Sequence, residues 1–160
     1  MSGGAGPLVV IEPGYGKGLN IAVVAAEWHQ EVVDGLVGGA MRVLEQAQAN
    51  IQLIRVPGSF ELPVATLRAL ETGADAAVAL GVVIQGGTPH FEYVCQGATN
   101  GLTQVAIKTG KAVGFGLLTV DDEEQALDRC GLPTSREDKG AEAAQAALVT
   151  TRRLLALAEL

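Results

Sequence analysis

The sequence predicts a three-layer α/β/α domain in which a parallel four-stranded sheet lies between two layers of helices. Four continuous apolar runs, typical of strands buried on both faces, alternate with segments in which apolar residues recur at helical spacing. Such alternation favours parallel strands joined by right-handed crossovers, with helices on both faces of the sheet. The chain has 160 residues, of which 48% are hydrophobic and 18% charged, so we expect one folded domain and exclude a disordered chain.

The first half of this domain is predicted to hold two strand–helix pairs. The apolar run at 19–26 predicts the first strand, and the apolar positions within 31–46 recur every three or four residues, which indicates a helix. A second strand is predicted at 51–56, where a Pro-Gly pair ends it. Ser59 is expected to cap a helix that continues to Leu70.

The second half repeats the pattern. The run at 76–84 predicts the third strand, and the turn residues at 85–89 separate it from a long helix marked by apolar positions from Phe91 to Val105. A fourth strand is predicted at 112–119. The remaining elements are a short helix at 121–129, a loop at 131–138 and an alanine-rich helix that runs nearly to Leu160.

The domain organisation predicted from this pattern is a flexible N-terminal arm at 1–18 and a single folded domain at 19–160. The arm is rich in glycine and contains one short apolar run, Leu8–Ile11. We expect this run to form a strand that pairs with a sheet edge, on this subunit or on a neighbouring one.

Charge and composition exclude several function classes. The net charge is −7, and the only adjacent basic pair is Arg152 and Arg153, so no basic surface for nucleic acid is predicted. The N-terminus has no signal-peptide pattern, and no apolar segment is long enough to span a membrane. Cys95 and Cys130 have no partners at metal-ligand spacing and are interpreted as reduced thiols. These features predict a cytoplasmic protein.

Ligands of parallel α/β sheets bind beyond the carboxyl ends of the strands, and the unusual residues of this chain follow its predicted strands. The only Trp and both His residues are among them. Trp28 is interpreted either as a platform that stacks on a planar heterocycle or as a core or rim aromatic. His29 is interpreted as a solvated or capping residue. Glu61 either accepts hydrogen bonds from ligand hydroxyls or favours a helix N-terminus.

The segment Gly-Gly-Thr-Pro-His at 86–90 is the strongest candidate site. Two glycines allow a ligand to approach the backbone, Thr88 is expected to cap the next helix, and Pro89 suits its first turn. Free N–H groups at a helix N-terminus favour an anion, and His90 beside them could act as a general acid or base. The alternative is an ordinary capped turn with a surface histidine. The segment is not a P-loop, because no Gly-Lys-Ser/Thr follows it.

Further along the chain, Arg129 and Lys139 flank the 131–138 loop and are either phosphate contacts or solvated charges. The acidic run at 121–124 could suggest a metal cluster, but acidic residues in a first helical turn explain it more simply.

Together these residues resemble the lumazine synthase family of riboflavin biosynthesis from about residue 19 to residue 158. The resemblance depends on six ordered blocks, which are Val-Pro-Gly-Ser-Phe-Glu-Leu-Pro at 56–63, Ala-Leu-Gly-Val-Val-Ile at 79–84, Gly-Gly-Thr-Pro-His-Phe-Glu-Tyr-Val at 86–94, Gly-Leu-Leu-Thr at 116–119, Glu-Gln-Ala-Leu-Asp-Arg at 124–129 and Asp-Lys-Gly at 138–140. The resemblance implies a flavodoxin-like fold and a transferase that needs no cofactor and no metal. Its substrates would be 5-amino-6-ribitylaminouracil and 3,4-dihydroxy-2-butanone 4-phosphate.

The resemblance also implies roles for individual residues. Trp28 would stack on the pyrimidine, and His90 would move protons. The remaining contacts would be Ser59, Phe60 and Glu61 to the ribityl chain, the backbone of Val82, Val83 and Ile84 to the uracil, and Gly86, Gly87 and Thr88 to the phosphate. A neighbouring subunit of a homopentamer would complete the site with Phe115, Arg129 and Lys139.

One departure from the family pattern is Gln85, which stands where the family usually has Arg. Two other function classes remain open from sequence alone. One is a flavin- or nucleotide-binding module without catalysis, which would share the fold and Trp28 but would not need His90 beside an anion site. The other is a structural assembly subunit that has lost activity, which only Gln85 favours.

Overall fold

The computed structural model describes residues 9–160, and within them four parallel strands form one sheet in the order β2-β1-β3-β4. The strands are β1 (Asn20–Ala26), β2 (Asn50–Val56), β3 (Ala76–Ile84) and β4 (Val113–Val120). The helices are α1 (Gln30–Gln46), α2 (Leu62–Glu71), α3 (His90–Thr109), α4 (Glu123–Leu127) and α5 (Lys139–Leu157). The predicted α/β class and parallel sheet are therefore confirmed.

Two hydrophobic clusters separate the three layers. Val23 and Ala25 of β1 point into the cluster beneath α1 and α5, while Ala22 and Val24 point into the cluster beneath α2 and α3. Because both faces of β1 are covered, the strand needs apolar side chains at nearly every position, which is why its sequence is a continuous run.

Close packing of α2 against α3 fixes the position of the α3 N-terminus. A Cβ atom added to Gly101 of α3 would lie 2.7 Å from Cγ of Pro63, at the start of α2. Such contacts leave no room for a side chain at this crossing. The first residue of α3, His90, is therefore carried by a helix that is packed tightly on the domain.

The start of α2 differs from its prediction. A short 3-10 turn, Ser59–Glu61, precedes the helix, and Ser59 does not cap it. The Ser59 hydroxyl instead donates a hydrogen bond to the carbonyl oxygen of Val82 on β3, at 3.2 Å. This hydrogen bond matters because a buried hydroxyl without a partner is destabilising. The sequence around Ser59 could not predict it, because the acceptor lies 23 residues away on β3.

The described part of the N-terminal segment packs on the domain. Ile11 is buried, the Gly16 N–H donates to the Ala47 carbonyl at 2.8 Å, and Nε of Arg152 donates to the Tyr15 carbonyl at 2.8 Å. Of the strand predicted at Leu8–Ile11, Leu8 lies outside the described residues, and the residues that follow it form no strand within this chain. Pairing with a neighbouring subunit and a domain boundary at residue 18 stay predictions.

None of the helices between residues 9 and 160 is both long enough and apolar enough to cross a membrane.

Candidate active site

A cavity of about 530 Å³ opens at the carboxyl ends of β1, β2 and β3, where the sequence predicted the ligand site. Eight of the predicted site residues line it, namely Trp28, Ser59, Phe60, Glu61, Val82, Val83, Ile84 and His90. They come from three different strand-end segments and from the first turn of α3, so the parallel sheet brings together residues that are far apart in sequence.

Trp28 contributes an exposed aromatic surface to this cavity. Its side chain is 65% exposed, which excludes a core role. The Trp28 N–H donates to the Pro57 carbonyl at 3.1 Å, and a Cβ atom added to Gly58 would lie 2.5 Å from Cε3 of the indole. The absence of a side chain at Gly58 therefore lets the ring lie against the backbone of the neighbouring turn, where it is available for stacking.

Glu61 closes the turn that follows β2. Its Oε2 accepts a hydrogen bond from the Gly58 N–H at 2.9 Å, so the carboxylate stabilises the turn. Phe60, in the same turn, is exposed and packs against Gly97 of α3. The same segment thus holds a carboxylate and a phenyl ring in the cavity wall.

His90 is the first residue of α3, and its side chain lines the cavity. The residue before the helix is Pro89, and no side chain caps this helix end, so the prediction that Thr88 is the cap is wrong. Because Pro89 itself occupies the capping position, the preceding threonine lies one residue too early to cap the helix.

Gly86, Gly87 and Thr88 are exposed and are not among the cavity-lining residues. A Cβ atom added to either glycine would meet no atom of the chain within 4 Å. The backbone of this turn is therefore open to a ligand, and its binding of phosphate stays a prediction.

Three further predicted residues, Phe115, Arg129 and Lys139, do not line the cavity in this single chain. Arg129 and Lys139 lie on either side of Glu137, with Arg129 Nε at 3.8 Å and Lys139 Nζ at 3.5 Å from its Oε2. Burial lowers the pKa of Lys139, but Glu142 and Glu137 outweigh it, so the net shift is upward and the ammonium stays charged. Phe115, on β4, is half-exposed beside α3.

The structure adds four lining residues that sequence reasoning did not assign to the site, namely Ala26, His29, Tyr93 and Val94. Tyr93 follows His90 by three positions, and residues at this helical spacing share a face, so the spacing was a usable signal. The orientation of His29 depends on a left-handed backbone conformation that the sequence does not reveal. Among residues 9–160, no group of three or more His, Cys, Asp or Glu side chains is placed to hold a metal ion.

The sequence of this chain matches one family of known proteins. The family model described as 6,7-dimethyl-8-ribityllumazine synthase matches residues 18–154. Proteins with that name are similar to this chain: one from Leifsonia xyli is 62% identical over 96% of this chain and 98% of its own length, and one from Clavibacter sepedonicus is 59% identical over 98% of each. One from Kineococcus radiotolerans is 58% identical over all of this chain and 98% of its own length. The chain therefore belongs to the 6,7-dimethyl-8-ribityllumazine synthase family.

Proposed function

We propose that this chain condenses 5-amino-6-ribitylaminouracil with 3,4-dihydroxy-2-butanone 4-phosphate to form 6,7-dimethyl-8-ribityllumazine. The single observation that carries the proposal is the cavity lined by the exposed indole of Trp28, the carboxylate of Glu61 and the imidazole of His90. A planar pyrimidine, a polyol and a series of proton transfers need these three kinds of group. Membership of the family supports the same reaction.

The reaction requires several proton transfers but no redox step. The 5-amino group attacks the ketone carbonyl, and water leaves to give an imine. The C–O bond to phosphate then breaks with its electron pair while the adjacent carbon loses a proton. Loss of phosphate leaves an enol, which tautomerises: the terminal carbon gains a proton and becomes a methyl group, and the enol O–H loses its proton to give a new ketone. The ribitylamino nitrogen attacks this new carbonyl, and loss of a second water closes the ring. Our proposal assigns proton transfer to His90, because an imidazole is a group that can both donate and accept protons.

The pyrimidine is expected to bind between Trp28 and the ends of the sheet. The indole stacks on the ring, and the backbone of Val82, Val83 and Ile84 forms hydrogen bonds to the uracil edge. Glu61 accepts hydrogen bonds from the ribityl hydroxyls, beside Ser59 and Phe60. The apolar side chains at the end of β3 exclude water from the reacting carbons, which favours imine formation.

The phosphate is expected to bind at the open turn formed by Gly86, Gly87 and Thr88, next to His90. Its charge would be neutralised by Arg129 and Lys139 of a neighbouring subunit in a homopentamer, which would also supply Phe115. The position of these residues away from the cavity wall of their own chain supports a shared site. We also place the enzyme in the cytoplasm, where its two unbridged cysteines would stay reduced.

The test is incubation of the purified protein with both substrates, with lumazine fluorescence and phosphate release followed together. We expect one phosphate per lumazine, with no loss of rate when a chelator is added. Absence of phosphate release at any substrate concentration, or loss of activity on chelation, would count against the proposed reaction.

A further inference from the structure

We infer that His29 is a further substrate-binding residue, which holds the hydroxyl-bearing side chain of the pyrimidine substrate. The inference rests on the proposed function, and it assigns a role to a side chain that the reaction above does not use. It depends on three features of the described residues, namely the backbone conformation of His29, its position in the cavity and the polar groups available around it.

The backbone conformation of His29 does not by itself require a histidine. Its φ and ψ are 59° and 56°, in the left-handed region where glycine and asparagine are accommodated with less strain. It is the N-cap residue of α1, yet its side chain forms no capping hydrogen bond. Only its carbonyl oxygen takes part in the helix start, by accepting the Val33 N–H at 3.0 Å. The imidazole therefore does not stabilise the helix that it precedes.

The position of His29 places the imidazole in the cavity wall beside the turn that carries Glu61. The N–H groups of Glu27 and Trp28 both donate to the Pro57 carbonyl, at 3.1 Å each. These bonds join the segment after β1 to the segment after β2, which is the part of the site proposed to hold the ribityl chain. The Trp28 N–H before His29 is held by the Pro57 carbonyl and α1 begins directly after His29, so the backbone is held on both sides where the imidazole lines the cavity.

The other polar side chains in this part of the cavity cannot satisfy all the hydrogen bonds of a polyol, whereas an imidazole can form those that are missing. The Ser59 hydroxyl already donates its hydrogen bond to the Val82 carbonyl, and one Glu61 oxygen already accepts a hydrogen bond from the Gly58 N–H. A carboxylate only accepts hydrogen bonds, whereas a polyol presents hydroxyls that both donate and accept. A neutral imidazole offers one donor and one acceptor, so His29 can satisfy hydroxyls that Glu61 cannot.

The experiment compares His29→Gly with the wild-type enzyme. Glycine removes the imidazole and accepts the left-handed conformation, so the variant is expected to fold with a Tm within a few degrees of wild type. Gln48→Gly is the matched control, because Gln48 has the same φ of 59° and lies at the other end of α1, outside the cavity lining. Binding of the pyrimidine substrate alone is followed by the fluorescence of Trp28, the only tryptophan in the chain.

We expect His29→Gly to weaken binding of the ribityl substrate about 5- to 20-fold, the usual effect of losing one or two hydrogen bonds, while Gln48→Gly changes it less than about twofold. With 5-amino-6-methylaminouracil, which lacks the polyol, the two enzymes should bind equally. An unchanged affinity for the ribityl substrate, or an equal loss with both ligands, would overturn the assignment. Activity of the wild-type enzyme in the same preparation tests the proposed function separately, so failure of one idea is distinguishable from failure of the other.

Discussion

His90 is the first residue of α3 and lines the cavity, and its predicted role is proton transfer. We expect His90→Ala to lower kcat about 10- to 1000-fold, at and below the usual contribution of a general acid or base, because the condensation has a spontaneous background. Binding of the pyrimidine should change only a few-fold, since Trp28 and the end of β3 remain. Stopped-flow turnover and equilibrium binding separate the two effects. If binding collapses while single-turnover chemistry is unchanged, His90 is a ligand contact and not the proton carrier.

Gly58 allows the indole of Trp28 to lie against the backbone, so a methyl group there should displace the ring. The φ of Gly58 is −137°, which any residue adopts, so Gly58→Ala acts through contact with the ring and not through backbone strain. We expect the pyrimidine affinity to fall up to about tenfold, the value of one aromatic pair. Binding measured by calorimetry checks this.

The matched control for Gly58→Ala is Gly38→Ala in α1, where an added Cβ atom would meet only Nη1 of Arg42 at 3.4 Å. Alanine is the better helix former, so the control should stabilise the fold by up to about 1 kcal/mol and leave binding unchanged. Equal affinities for both variants would show that the indole position does not depend on Gly58.

At the scale of elements, the four strands of the sheet were predicted from sequence to within one residue at each end. This was possible because strands covered on both faces have continuous apolar runs, and β3 at Ala76–Ile84 agrees at both bounds. The helix starts were less predictable. Ser59 and Thr88 have the chemistry of caps, but Ser59 bonds across the sheet to Val82, and Pro89 takes the capping position that Thr88 was expected to fill.

The candidate site was predictable to the extent that it depends on topology. Parallel strands present their carboxyl ends at one edge, so Trp28, Glu61 and His90 were expected together before the structure placed them in one cavity. The position of His29 in the cavity was missed because the residue type alone did not show that its backbone adopts a left-handed φ. Arg129 and Lys139 do not line that cavity within one chain, and their proposed contribution to a neighbouring subunit stays a prediction.

The loop between α4 and α5 is held by an ion pair whose effect should depend on pH. Arg136 binds Asp128 with its Nε 2.6 Å from Oδ2, and this hydrogen bond lowers the pKa of Asp128. A carboxyl whose pKa is lower in the folded state stabilises the fold above its unfolded pKa, about 3.9, and that contribution is lost as pH falls through the folded pKa. Asp128→Asn should therefore lower the Tm at pH 7, and the difference from wild type should shrink below about pH 4.

Arg136→Gln is the partner variant for this test. Because both substitutions remove the same interaction, the double variant should lose less stability than the two single losses added together. Thermal melts at pH 7 and at pH 3 measure both effects. A Tm difference for Asp128→Asn that stays constant from pH 7 to pH 3 would contradict the pairing.

At the scale of the whole molecule, the proposal that the site is shared between subunits can be tested by complementation. Arg129→Ala and His90→Ala should each be nearly inactive alone, since each damages every site of its own assembly. Assemblies refolded from a mixture should regain a fraction of the activity, because some interfaces then pair one intact half-site with another. If mass measurement proves mixing and activity does not return, both residues act in the site of the same subunit.

The surface of the single chain also favours an assembly. Val64 on α2, Ile107 on α3 and Phe115 on β4 are 68%, 81% and 49% exposed, an unusual placement for large apolar side chains that surround two shallow grooves. A head-to-tail contact that lends residues from one subunit to the next is heterologous, and such a contact builds a ring when its rotation closes and an open filament when it does not. The family resemblance implies that this ring has five members.

We predict that the ring remains a homopentamer and does not build a sixty-subunit shell. The resemblance implies that shells need a short, glycine-rich kink before the last helix. Here the link from 131 to 138 is long and contains Pro133, whose φ is fixed near −65°. It is also tied to α4, because the Ser135 hydroxyl donates to the Leu127 carbonyl and Arg136 binds Asp128. A link held in this way fixes the direction of α5, and we expect that direction to prevent the contacts between pentamers.

Light scattering at neutral pH measures the outcome directly. Five chains of 16.4 kDa have a mass of about 82 kDa, whereas sixty have a mass of about 1 MDa. We expect the smaller value, and we expect it to persist across a tenfold range of protein concentration, because a closed ring has no free heterologous surface left to extend. A particle near 1 MDa would show that the link does not control assembly, and it would leave the proposed chemistry intact, since every pentamer of a shell would still contain the shared sites.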